Sequence, residues 1–241
     1  MVISDAEKRT TAWHEAGHTV LATLLPDCDP IHKVTIIPRG PALGLTWTLP
    51  KEDQISLYKP MILDRIAMSM GGRIAEELKF GVMSAGAKSD IENATRLARS
   101  MVCEWGMSEK LGPVSFGEEQ GEMFLGREFG QRSRNYSEQT AVEIDGEVKK
   151  IITGQYDLAR KILSDQRPAL DRIAEALLEF ETLDAEEVHT LMAGGIITRA
   201  KLAHPKNDQP KKPEEKKEKS KILDALGGLT GGAMKPEPGK A

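Results

Sequence analysis

Residues 14–18 read His14-Glu15-Ala16-Gly17-His18. On a helix, side chains four positions apart share a face one turn apart, so both imidazoles can reach a single metal ion. Glu15 stands close to the same ion without having to bind it. Two neutral imidazole ligands, a neighbouring carboxylate and an open coordination position are the layout of a zinc hydrolase. The competing reading is a helix that carries two histidines by accident. With only five histidines in 241 residues, a chance His-acid-x-x-His is about a one-in-fifty event, and the hydrolase reading is preferred.

The helix presenting this pentapeptide has readable edges. Trp13, Ala16, Gly17, Val20, Leu21 and Leu24 form an apolar face between Thr10 and Leu25. Ser4 and Glu7 have the spacing of a capping box, and Pro26 stops the helix. Ile31 to Leu49 then reads as a β-hairpin. Val34 to Ile37 is a β-branched run, Pro38 to Pro41 is turn chemistry, and Leu43 to Leu49 is the second strand. Gly44 within it predicts a bulge or a close approach of another backbone.

Beyond Ser56 the apolar period becomes helical. Met61, Ile62, Ile66, Met70, Ile74 and Leu78 predict a helix interrupted near Gly71-Gly72. A further helix starts near Asp90 and ends at Gly106, with Cys103 as a buried small hydrophobe. Residues 112–135 read as a long Gly-rich loop. Helices follow at Ser137 to Ser164, Pro168 to Phe180 and Ala185 to Met192, the last with Asp184 as its cap. The expected fold is mainly α with a small β-hairpin or sheet, a helical metallopeptidase domain over residues 1–204. Residues 205–241 are a charged tail, and its Lys/Glu/Pro-rich part is expected to be disordered because it has too little apolar surface to offset the entropy of ordering.

Composition excludes several functions. A net charge of −4 gives no case for nucleic-acid binding. The two cysteines, Cys28 and Cys103, lack metal spacing and call for no oxidising compartment. No run of 18 apolar residues is present to span a membrane, and no Gly-x-x-x-x-Gly-Lys-Ser/Thr phosphate loop occurs.

A catalytic zinc needs a third protein ligand. His32, His189 and His204 belong to no second motif. Two carboxylate sites compete: Glu76-Glu77 at the end of the interrupted helix, and Asp90 at the start of the next. Asp90 also has a plain structural reading as a first-turn carboxylate, with Ser89 and Glu92 as a capping box. The residues by themselves leave this choice open. They also leave open a binding module with structural zinc, although Glu15 would then have no task.

Several blocks resemble the protease domain of the FtsH family, the membrane-anchored ATP-dependent zinc metalloproteases. They are TAWHEAGH at 11–18, IHKVTIIPRG at 31–40, GGRIAEEL at 71–78 and GAKSDIENAT at 86–95. WGMSEKLGPV at 105–114, FLGRE at 124–128 and YSEQTA at 136–141 continue the series. The resemblance implies one zinc per chain held by His14, His18 and Asp90, with Glu15 as general base. It implies an edge strand for substrate, carried here onto Ala42, Leu43, Gly44, Leu45 and Thr46. It further implies a homo-hexamer that degrades unfolded or membrane-derived polypeptides. The full-length protein is then expected at the cytoplasmic face of a bacterial inner membrane. Family members carry transmembrane helices and an AAA+ ATPase ahead of the protease. Neither is in this sequence, which is therefore expected to be a soluble fragment of a longer protein.

Overall fold

A computed structural model describes residues 4–38, 43–50, 56–116 and 136–199. The elements run α1 (Asp5–Leu24), β1 (Ile31–Thr35), β2 (Leu45–Thr48), α2 (Lys59–Ser69), α3 (Gly71–Phe80) and α4 (Lys88–Cys103). They continue with α5 (Glu138–Asp165), α6 (Arg167–Phe180), β3 (Thr182–Asp184) and α7 (Ala185–Met192). The expected mainly helical fold with a small sheet is what forms. The domain boundary at residue 204 and the charged tail lie outside the described residues, as do most of the Gly-rich loop and the hairpin turn.

The first helix is longer than its apolar face. It starts at Asp5 because the Ser4 side chain accepts from the Glu7 amide while the Glu7 carboxylate accepts from the Ser4 amide. It stops at Leu24, since the residue before Pro26 is pushed out of the helical region. Between Thr11 and Ala22 every residue but His14 is buried, so α1 is a central helix packed between α3 and α6. Packing against α3 is especially close. A Cβ at Gly17 would lie 2.2 Å from the Gly71 carbonyl oxygen, and one at Gly71 would lie 2.8 Å from the Gly17 carbonyl carbon. The two helices meet backbone to backbone.

The sheet has order β2-β1-β3 and is antiparallel throughout. The second strand is shorter than expected, and its irregularity falls elsewhere. Gly44 precedes β2, and the register shifts between Ile31 and Lys33, so His32 is the extra residue. Its ring packs edge-on against Trp47 at 5.2 Å. Strand β3 was not expected: three residues are too few for an alternating pattern. It exists because β1 offers it an edge, with Thr35 and Thr182 hydroxyls 2.8 Å apart and the Ile36 amide donating to Glu181 O. Glu181 adopts a left-handed φ of 61° at the end of α6, which turns the chain into β3.

Helix α4 also departs from expectation. A 3₁₀ turn at Ala85–Ala87, capped by Ser84, feeds straight into it, so the helix begins at Lys88. Ser89 and Glu92 therefore form no capping box: Glu92 sits 3.6 Å from Lys88 instead. Cys103, expected to be buried, is only half-buried at the helix end. The α2–α3 interruption falls at Met70, next to the glycine pair as expected.

Gly17→Ala is expected to destabilise the protein. The added methyl overlaps main-chain atoms that cannot rotate away, and overpacking of this kind costs about 1–3 kcal/mol or more. Thermal denaturation should show a midpoint lowered by about 5 °C or more. An unchanged midpoint would mean that the crossing of α1 and α3 is looser than described.

Candidate active site

His14 and His18 share one face of α1, and their ring orientations are set from behind. The Nδ1 of His18 donates to the Met68 carbonyl at 2.8 Å, and the Nδ1 of His14 lies 2.8 Å from the Glu76 carboxylate. A carbonyl and an ionised carboxylate both accept, so each Nδ1 carries a proton, and each Nε2 is the nitrogen that can present a lone pair to a cation. The two Nε2 atoms stand 3.1 Å apart. Asp90, in the first turn of α4, brings its Oδ2 to 3.2 Å from the Nε2 of His14 and 3.6 Å from that of His18.

These spacings suit a small tetrahedral ion. Ligands about 2.0–2.1 Å from zinc are about 3.3 Å from one another. The donor chemistry fits as well: two imidazoles and one carboxylate leave a fourth position open. Gly72 makes room, since a Cβ there would lie 2.4 Å from the His14 ring. Glu76 is therefore hydrogen-bonded to the far nitrogen of His14 rather than grouped with the three donors. Glu77 belongs to a different network, accepting from Tyr156 at 2.6 Å and from Arg160 at 3.1 Å.

The local field favours positive charge. Burial disfavours the His14 imidazolium, but hydrogen bonds to Asp90 and Glu76 and the charge of Glu15 outweigh it and push its pKa up to about 10. Burial likewise raises Asp90, yet the two histidines hold its carboxyl well below the usual range. Glu76 is also lowered overall: burial opposes, while His14 and Ser84 favour the ionised form. A divalent cation satisfies the same demand for positive charge.

Glu15 is 7% exposed and lies beside the donor triangle. The cleft over it has a volume of about 730 Å³ and runs from the first turns of α1 past Leu43, Gly44, Leu45 and Thr46 to Asp90 and Asn93. Four of the five residues expected on the substrate strand thus line the cleft, and the fifth, Ala42, lies outside the described residues.

The sequence model of peptidase family M41 matches residues 1–191. The chain belongs to peptidase family M41. This M41 chain is 56% identical over 237 residues to the ATP-dependent zinc metalloprotease FtsH of Myxococcus xanthus, covering 98% of the chain and 36% of that relative. It is 52% identical over 200 residues to FtsH 3 of Symbiobacterium thermophilum, covering 83% and 32%. With FtsH of Bacillus subtilis the figures are 47% over 227 residues, 91% and 36%. The chain spans about a third of the length of these curated relatives.

Sequence reasoning missed what orients the M41 donors. Glu76 had been weighed only as a ligand, and Met68 acts through its main chain, which carries no residue signal. It also missed a clamp behind the histidine helix. Asp171 on α6 accepts from the Trp13 indole at 2.8 Å, from Lys79 at 3.0 Å and from Arg167 at 3.2 Å. Lys79 also sits 4.4 Å above the Trp13 ring. Burial raises the Asp171 pKa, but these three donors more than reverse it. A depressed folded pKa adds stability above the unfolded value, which is lost as pH falls through the folded one. That contribution is complete at neutral pH and fades below the ordinary value of 3.8. Asp171→Asn should therefore lower the urea midpoint at about pH 7, and the gap to the parent should shrink below about pH 3. A gap independent of pH would show that ionised Asp171 does not hold the clamp.

Proposed function

We infer that the chain is a zinc-dependent endopeptidase, the proteolytic part of a membrane-anchored AAA+ protease. His14, His18 and Asp90 would hold one zinc ion per chain, with Glu15 as general base. The observation that carries this reading is the triangle of two Nε2 atoms and one Oδ2 at 3.1, 3.2 and 3.6 Å, backed by Glu76 and Met68 and flanked by Glu15. A structural zinc site would need no carboxylate beside it.

When bound, the ion supplies a Lewis acid that polarises the scissile carbonyl and acidifies water. Glu15 takes the proton of the attacking water and returns it to the leaving amine. Asp90 and the two histidines hold the ligand set, and Glu76 keeps His14 in the tautomer that presents Nε2.

Substrate would add as a strand to β2, which has no partner on its outer edge among the described residues. The Leu49 amide donates to Pro30 O, toward β1. Alternation then turns the Leu45 and Trp47 amides inward and those of Thr46 and Thr48 outward. Main-chain pairing tolerates many sequences, which suits unfolded or membrane-derived polypeptides. The ATP dependence in the relatives' names supports an ATPase partner domain in the full-length protein. Transmembrane segments, a homo-hexamer and a place at the cytoplasmic face of a bacterial inner membrane are part of the same proposal and rest on the resemblance to the FtsH family. Among the described residues no helix is long and apolar enough to cross a membrane.

Glu15→Gln should keep bound zinc and lose casein degradation by several orders of magnitude. Asp90→Ala should lose zinc in dialysis against a chelator, whereas Glu76→Ala should weaken it only about 10- to 100-fold. Near-parent proteolysis by the first variant, or tight zinc in the second, would refute these roles. Thr48→Pro should slow casein degradation with zinc retained, because it removes an outward amide. Leu45→Pro would break the β1 ladder instead, so it does not isolate the substrate edge. A zinc-loaded Thr48→Pro variant with parent activity would remove the outer edge from the substrate site.

A further inference from the structure

We propose that Thr46 is a positioning residue for Glu15, and that it joins the substrate edge to the base that serves it. The inference rests on the reading of Glu15 as general base. The Thr46 hydroxyl donates to Glu15 Oε2 at 2.6 Å. Its other possible acceptor, the Glu15 main-chain oxygen, is 3.3 Å away and already accepts from the Thr19 hydroxyl at 2.7 Å. The single hydroxyl proton of Thr46 therefore goes to the carboxylate.

Gly44 closes the other side. A Cβ there would lie 2.6 Å from Glu15 Oε1 and 2.7 Å from its Cγ. The carboxylate is thus held between a hydroxyl on one oxygen and a bare α-carbon against the other. A glutamate side chain has three rotatable bonds, and fixing them before substrate arrives removes an entropic cost from the chemical step. Oε1 and the remaining lone pair of Oε2 stay available for a proton.

Thr46 occupies a particular place on β2. Its side chain faces α1, while its amide is one of those directed away from β1. A peptide strand pairing with the outer edge would bond the main chain of the same residue whose hydroxyl holds the base. Substrate placement and base placement then share one rigid element, which keeps the proton acceptor in register with the bond to be cut.

The plain alternative is that Thr46 merely pins β2 to α1, and kinetics separate the two. In the zinc-loaded chain acting on an internally quenched unfolded peptide, Thr46→Val keeps the shape and removes the donor. We expect kcat about 10- to 100-fold lower, KM within about threefold, and zinc content and melting temperature close to the parent. Thr46→Ser should recover kcat to within about threefold, because it restores the hydroxyl. Gly44→Ala should reproduce the kcat loss by pushing the carboxylate aside. Parent-like kcat in Thr46→Val overturns the inference. So does a loss accompanied by falling zinc content and melting temperature that Thr46→Ser fails to repair. Glu15→Gln measured alongside distinguishes the two levels. An active Glu15→Gln overturns both the base assignment and this inference, whereas an inactive one beside a fully active Thr46→Val overturns this inference alone.

Discussion

Everything at the candidate centre depends on how closely α1 lies against α3. The two helices cross with Gly17 against Gly71 and no side chain between them. At that separation the carboxylate of Glu76, on α3, reaches the ring of His14, and the Met68 carbonyl at the end of α2 reaches His18. A wider crossing would leave both rings free to turn, and their lone pairs would no longer converge. The small residues between and around the histidines therefore shape the candidate centre as much as its three donors do. Gly72 extends the same constraint by clearing the space that the His14 ring fills.

Charge is the second constraint, and packing creates it. Three carboxylates, those of Glu15, Glu76 and Asp90, gather around two imidazoles in a partly buried site. Such a cluster is costly to bury without a cation. Positive charge offsets that cost, and either a protonated His14 or a bound cation can supply it. On the opposite face of α1, Asp171 solves the reverse problem: one carboxylate is surrounded by an indole, an ammonium and a guanidinium.

Local signals in the sequence held except for the Ser89–Glu92 capping box, whereas long-range ones could not be read. The caps at Ser4 and Asp184 could be read directly, because a cap needs only residues three positions apart. That His14 and His18 share one face, with Glu15 between them in sequence, was legible for the same reason. Asp90 could not be chosen over Glu76 from spacing, since the choice depends on where α3 and α4 lie relative to α1. The resemblance to a known family, not periodicity, pointed to Asp90. The second strand is three residues shorter than its sequence pattern, and β3 has no pattern of its own, because both are defined by their partners. The link from Thr46 to Glu15 spans 31 positions and carries no local pattern.

The third strand has a consequence for synthesis. The strand that backs β2, and so supports the roof over Glu15, pairs on its other side with residues 182–184. Its Thr35 hydroxyl meets that of Thr182, and the Ile36 amide donates to Glu181 O just before β3. The clamp on Trp13 comes from Asp171, in the same late stretch of chain. A growing polypeptide therefore makes the histidine helix well before residues 171 and 181–184, which support that helix and the sheet. Contacts so distant along the chain form slowly and late. The order of synthesis thus leaves the candidate centre without those supports until residues 171–184 have been added.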